Sequence, residues 1–525
     1  MARGARVLTR WWLGPSLACE QPAGKRCGRN PQLVHIDPQE GAVIHPSPRA
    51  PLPATATGCA ALPLTPPIRG LFGDLQAQFA SEVERLAEQA ASSLAATAGP
   101  EGLAALELAI RTAMTKLGAG LLEQLLAADT GHRGQRVDCG SGHLAEFVSY
   151  RTKNLDSVLG PVEHRRAYYH CSDCGHGVVP RDDELGVTHA SLTPGLAAMV
   201  DRVGAAVPFE KGRDLLAELA GIELSTKRVE RCAESDGRAV AAAIDIHAAA
   251  VATGEVVPLG PTGPVAKLYI AVDGTGVPAV PADTAGRKGK DPDGRAHTRE
   301  VKLGVVFTQT TVDDEGFPIR DPLSSSYVST LEPVEHFGTL VYAEARRRGS
   351  AKATEMVILG DGATWIWNLA KAQFPKATHI VDLYHAREHL GDLAKLLAPV
   401  LGEERTSWLA DRKDELDDGD IPALLAAARA LDVPANNAKD LDTALGYFEN
   451  NASRMAYETF RAAGHFVGSG AVEAGCKAVV AQRLKLSGMR WSVRGATGIV
   501  TLRCQEASGR SAEIWKLPHT QTSVA

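Results

Sequence analysis

The sequence predicts a multidomain α/β protein whose sheet is interrupted by an all-helical insertion and preceded by helical and β-rich segments. Three observations predict it. Apolar runs that end on an acid, residues 267–273 and 355–361, alternate with helical stretches, as in a sheet with crossover helices. Residues 391–465 are charged and helically spaced, with no strand pattern. Residues 136–180 switch to short β-prone runs flanked by cysteines, in a segment too small and polar to fold unaided.

The chain of 525 residues exceeds what one hydrophobic core serves. With 44% hydrophobic and 22% charged residues it is no wholly disordered chain, and its apolar runs fall short of a membrane span. Arg3, Arg6 and Arg10 precede Trp11 and Trp12 as in a signal peptide, but Gly14 and Pro15 cut the apolar stretch short. Of nine cysteines only Cys171 and Cys174 form a close pair, so no disulfide scaffold is expected. These features predict a soluble, cytoplasmic protein. The net charge of -6 is a sum and excludes no nucleic-acid partner, because charge can segregate along the chain.

Taken in order, residues 1–70 hold 11 of the 30 prolines without periodicity and read as a disordered, Pro-rich extension or as upstream sequence from a misplaced start codon. Residues 71–130 show helical spacing (Phe79, Val83, Leu86, Ala90) broken at Gly99 and Pro100, which predicts a helical hairpin. Within 136–180, Cys139 and His143 are followed by Cys171 and Cys174. Two ligand pairs on turns joined by a hairpin suit a structural Zn²⁺ in a zinc ribbon, with His170 and His176 as rivals to His143 for the fourth position.

In residues 190–250 a helix ending at Gly221, a short turn and a Ser225 or Thr226 cap suggest a helix-turn-helix. Lys227, Arg228 and Arg231 on the second helix would face DNA; a plain helical hairpin fits the pattern equally. Residues 265–390 and 466–515 form the α/β core around the helical insertion. Asp273 and Asp361 close apolar runs and precede glycines, where open sheets place their sites. Glu473 follows Gly468 and Gly470 at a helix start. Three such acids suit two Mg²⁺ (or Mn²⁺) ions about 3.5 to 4 Å apart, the arrangement used in phosphodiester cleavage. Asp382 and His385 follow the next short strand. They either share that cleft as accessory groups or form a helix cap with a solvent-facing histidine.

The motifs GDGATWIWN (360–368), VDLYHAREHL (381–390), YFENN (447–451), GSGAVE (468–473) and LKLSGMRW (484–491) together resemble bacterial insertion-sequence transposases of the Kra type, distantly similar to Mutator-like transposases. The resemblance spans residues 71–515. It implies an RNase H-like core, a DDE triad carried by Asp273, Asp361 and Glu473, a D-x-x-H element at Asp382 and His385, and an all-helical insertion before the last acid. The triad spacings are 88 and 112 residues. Glu449 of YFENN is the rival third acid. Members often carry two Cys pairs in the ribbon where this chain has Cys139 and His143.

The expected function is a DNA transposase that cleaves insertion-sequence ends and joins the freed 3′-hydroxyl to target DNA. Its partners would be terminal inverted repeats and target DNA at the nucleoid, bound by a homo-oligomer, since two ends are processed. Beyond Glu473 eight Lys and Arg face two acids, so Lys477, Arg483, Lys485 and Arg490 are candidate DNA contacts. The alternatives are a zinc-ribbon and helix-turn-helix DNA-binding regulator on a degenerate nuclease fold, and an RNase H-like nuclease or resolvase without strand transfer.

Overall fold

Sheets of four and five strands organise the chain. The computed structural model describes residues 100–289 and 294–514, with parts of a helical stretch between 77 and 88. The Pro-rich residues 1–70 and the pairing of the expected hairpin lie outside the described residues. All elements named here belong to the unit Gly70–Ala525.

The second arm of the expected hairpin is α1 (Pro100–Ala127). An antiparallel sheet follows: β1 (Arg136–Asp138), β2 (Leu144–Ser157), β3 (Gly160–His170) and β4 (Gly177–Val178), in that order. The long β2–β3 hairpin has two small cores. Near its turn, Leu155 and Val162 pack on Ala119 and Leu126 of α1; at the other end Ala145, Ala167, Tyr169 and Cys171 cluster.

Next come α2 (Pro194–Ala206), α3 (Phe209–Leu215) and the long α4 (Thr226–Thr253). The turn before α4 is built as its sequence suggests. Gly221 is left-handed at φ 68°, and the Ser225 side chain accepts from the Arg228 N–H.

The larger sheet holds β5 (Val265–Pro278), β6 (Thr298–Gln309), β9 (Ser326–Thr330), β10 (Ala353–Gly360) and β11 (Thr378–Val381); β7 (Thr311–Val312) and β8 (Pro318–Ile319) form a separate two-stranded ribbon. The order is β11-β10-β5-β6-β9. The pairs β5–β6 and β6–β9 are antiparallel, and β10 runs parallel to both β5 and β11. The central strands are buried on both faces, so residues 268–272 read as a continuous apolar run.

Helix α5 (Val334–Arg347) joins β9 to β10, and α6 (Thr364–Gln373) joins β10 to β11. After α7 (Leu383–Leu396) come α8 (Arg405–Asp418), α9 (Ile421–Arg429), α10 (Ala438–Asn451) and α11 (Tyr457–Ala462), the helical stretch of the expected insertion. The chain then enters α12 (Gly470–Gly475) and closes with α13 (Val493–Ala507). Adjacent residues of β6 show how the sheet is covered. Gly304 meets Val341 and Phe337 of α5, while Leu303, on the opposite face, meets Gly475 of α12. Among the described residues no helix is long and apolar enough to cross a membrane.

Candidate functional site

The acids at the sheet edge are set by strand register. Leu359 of β10 pairs with Ala271 of β5 in parallel, so two residues further Asp361 leaves the sheet beside Asp273. Asp273 pairs across β6 with Leu303 and therefore lies on the face that α12 covers. Its Oδ2 lies 3.3 Å from Cys476 Sγ and its Oδ1 accepts from the Gly274 N–H. Burial pushes the Asp273 pKa up. The Cys476 thiol and Gly274 N–H oppose that rise, the Asp361 charge adds to it, and His385 lowers it.

Asp361 Oδ1 accepts from the Ala363 N–H at 2.8 Å, and its carbonyl accepts from the Tyr447 hydroxyl at 3.0 Å. Tyr447 comes from α10, so the helical insertion grips the loop that bears this acid. Glu473, on α12, is exposed, and its Oε1 accepts from Ser469 Oγ at 3.0 Å. The rival Glu449 is paired with Arg429.

Asp382 is fully buried and joins these parts. Its N–H donates to the Gly360 carbonyl at 2.8 Å, its Oδ1 caps α7 by accepting from the His385 N–H at 2.7 Å, and its Oδ2 accepts from the Ser469 N–H. The end of β10 is thereby tied to the loop before Glu473. The His385 ring lies beside Glu388 at 3.5 Å. Asp382 is therefore the cap of α7, while His385 is near enough to act on the Asp273 carboxylate, so the two sequence readings of this pair are not exclusive.

The three acids do not form a group with all ligand atoms within 4.8 Å of one another. Two ions spaced about 3.5 to 4 Å require acids spread around them, and bare carboxylates repel. The oxygen donors suit a hard divalent cation such as Mg²⁺.

At the ribbon, Cys139, His143, Cys171 and Cys174 do bring their ligand atoms within 4.8 Å of one another. Cys139 and Cys174 Sγ lie 3.7 Å apart; two sulfurs about 2.3 Å from one tetrahedral zinc sit about 3.8 Å apart. Gly140 and Gly142, at φ 82° and 80°, let the first loop curl so that the Cys139 N–H reaches the His143 carbonyl at 3.0 Å. The Ser141 N–H lowers the Cys139 pKa to about 7, while contact with Cys171 raises that of Cys174 to about 11. Three thiols and an imidazole form a donor set that fits Zn²⁺.

The basic residues divide. Lys227 is paired with Glu230 at 2.7 Å, and Arg228 with Asp156 of β2 at 2.6 Å, so Arg228 ties α4 to the ribbon hairpin; Arg231 is exposed. Lys477, Lys485 and Arg490 are exposed, with Lys485 Nζ on Thr275 Oγ1 near Asp273. Arg483 corrects the sequence reading. It is 0% exposed, lies between the rings of Phe209 and Trp491 at 4.6 and 5.0 Å, and donates to the Gly204 carbonyl, so it is a core residue out of reach of DNA. Burial lowers its pKa to about 10.

Sequence reasoning missed Tyr447 as a support of Asp361, Ser469 as a link from Asp382 to Glu473, and Cys476 as the neighbour of Asp273. Cys476 stands three residues after Glu473, so helical spacing held that signal.

No family model matches the chain, and no curated protein matches it in sequence. Among solved structures, the Drosophila P element transposase strand transfer complex is similar over 65% of this chain and 84% of that one, at 11% identity and a TM-score of 0.20. At that score the likeness carries no argument.

Proposed function

We propose that the chain is a metal-dependent DNA transposase with an RNase H-like core. The observation that carries the reading is Asp273 beside Asp361 on the adjacent parallel strands β5 and β10, with the helix of Glu473 packed on the same face. The strand order β9-β6-β5-β10-β11, three antiparallel strands followed by two parallel ones, supports the core.

Asp273, Asp361 and Glu473 are the groups to hold Mg²⁺ or Mn²⁺, which when bound supplies a Lewis acid for the attacking and leaving oxygens of a phosphodiester. The chain's own residues do the rest. Asp382 and Ser469 hold the Glu473 helix to the sheet, Tyr447 holds the Asp361 loop, and Lys477, Lys485 and Arg490 offer positive charge for the DNA backbone. Cys139, His143, Cys171 and Cys174 hold Zn²⁺ and with it the end of the β2–β3 hairpin. The ribbon, α4 with Lys227, Arg228 and Arg231, and a second copy of the chain engage the terminal repeats.

The test is Mg²⁺-dependent cleavage and strand transfer on DNA carrying the element's ends. Asp361→Asn is expected to abolish both while leaving repeat binding intact; cleavage retained in that variant overturns the triad. Cleavage without joining would favour the nuclease reading, and binding without cleavage the regulator.

A further inference from the structure

We propose that Asp201, Cys232 and Asp236 form a second metal site, for a zinc-like divalent cation, which staples α2 to α4. Asp201 lies in the middle of α2, and Cys232 and Asp236 stand one turn apart on α4. Their ligand atoms all lie within 4.8 Å of one another. This site is separate from both the ribbon and the sheet edge, and it does not rest on the transposase reading.

The distances match a coordination shell. Cys232 Sγ is 3.6 Å from Asp201 Oδ1 and 3.5 Å from Asp236 Oδ2. A sulfur at about 2.3 Å and an oxygen at about 2.0 Å from a tetrahedral zinc are separated by about 3.5 Å. A single S–H proton satisfies only one of the two contacts, so the thiol alone does not account for both.

Burial adds an independent argument. Asp201 is 2% exposed, and its Oδ2 has no hydrogen-bond partner among the described residues. A buried carboxylate facing a second carboxylate and a thiol is costly without a proton or a cation to neutralise it. The helices pack tightly beside it. One turn along, a Cβ on Gly204 would stand 2.6 Å from that of Ala233, so their backbones are in close approach. A thiolate with two carboxylates is a mixed soft and hard donor set that zinc accepts, leaving a fourth position for water.

The experiment is metal content of the full chain after zinc saturation and removal of free metal. About two zinc ions per chain are expected in the wild type, one in Cys232→Ser and one in Asp201→Asn, with unchanged circular dichroism. Since either variant could disturb the helix crossing, a Co²⁺ titration of the metal-free chain and of the milder Asp236→Asn accompanies it, read by thiolate-to-cobalt absorption. Asp236→Asn should weaken one of two binding steps at least about tenfold and leave the other unchanged. One zinc per chain in the wild type, or a cobalt titration identical in wild type and Asp236→Asn, overturns the site in favour of a proton shared among the three groups.

Discussion

The ribbon and the sheet edge both gather the side chains we propose as metal ligands, but in opposite ways. At the ribbon the ligands sit on loops with a core of a few residues behind them, Ala145, Ala167 and Tyr169. At the sheet edge Asp273 sits on β5 and Asp361 just past the end of β10, on strands buried to 0% exposure at Ile270, Ala271 and Ile358, with Glu473 on the helix packed against them. On the proposed reading the ligands hold the fold in the first region, and the fold holds the ligands in the second. Metal loss should therefore unfold the one and silence the other.

The largest expected effect tests the first half of that contrast. Structural zinc contributes about 10–16 kcal/mol in small domains. Chelation, or Cys171→Ser, should free residues 136–147 and 168–178 to rapid amide exchange. Residues 150–163 should stay protected, because Leu155 and Val162 pack on α1. Slow exchange throughout after zinc removal would show that the ribbon folds without its ligands.

Asp361→Asn tests the second half. We expect at least a thousandfold loss of strand cleavage, about 4 kcal/mol in the barrier, with no fall in melting temperature. A variant that is inactive because it unfolds would erase the distinction between the regions.

Three smaller effects sharpen it. Arg483→Ala should cost about 2–4 kcal/mol of stability as a core truncation, with the salt dependence of DNA binding unchanged. Lys485→Ala should do the reverse, lowering the salt slope by about one phosphate contact. Tyr447→Phe removes one hydrogen bond to the Asp361 carbonyl, about 1 kcal/mol, so turnover should drop about fivefold while the KM for DNA holds.

What was legible in the sequence follows from how local the causes are. Residues 267–273, 355–361 and 378–382 read as strands because buried parallel strands are continuously apolar. Gly221 and Ser225 read as a stop and a start because a left-handed turn and a cap are one-residue signals. Ser326–Thr330 gave no signal, being short and polar and made a strand only by pairing with β6. Residues that act across the fold were equally silent. Asp201 and Cys232 stand 31 residues apart, Tyr447 is 86 from Asp361, and Arg483 is 279 from the Gly204 carbonyl it binds. An arginine in a basic segment reads as a surface charge, and only the rings of Phe209 and Trp491 make it a core residue.

The ribbon hairpin also holds a control that needs no metal. His164, midway along β3, is 0% exposed, with both ring nitrogens lacking hydrogen-bond partners among the described residues. Burial lowers its pKa from 6.5; the nearby Asp182 carboxylate raises it, and Arg166, Arg181 and Lys153 lower it. A histidine whose folded pKa is depressed contributes stability that is fully present above the unfolded value and is lost as pH falls below about 6.5 toward the folded one. Protonation therefore favours opening of the hairpin, with the loss ending once the folded pKa is passed. The measurement is amide exchange of residues 150–163, corrected for intrinsic rates, between pH 7.5 and about pH 5. Protection should fall in the wild type with or without chelator and stay level in His164→Phe, which keeps a ring at that position without a titrating nitrogen. If chelator rather than pH governs exchange in this stretch, the metal holds the whole hairpin and the boundary drawn at its middle is wrong.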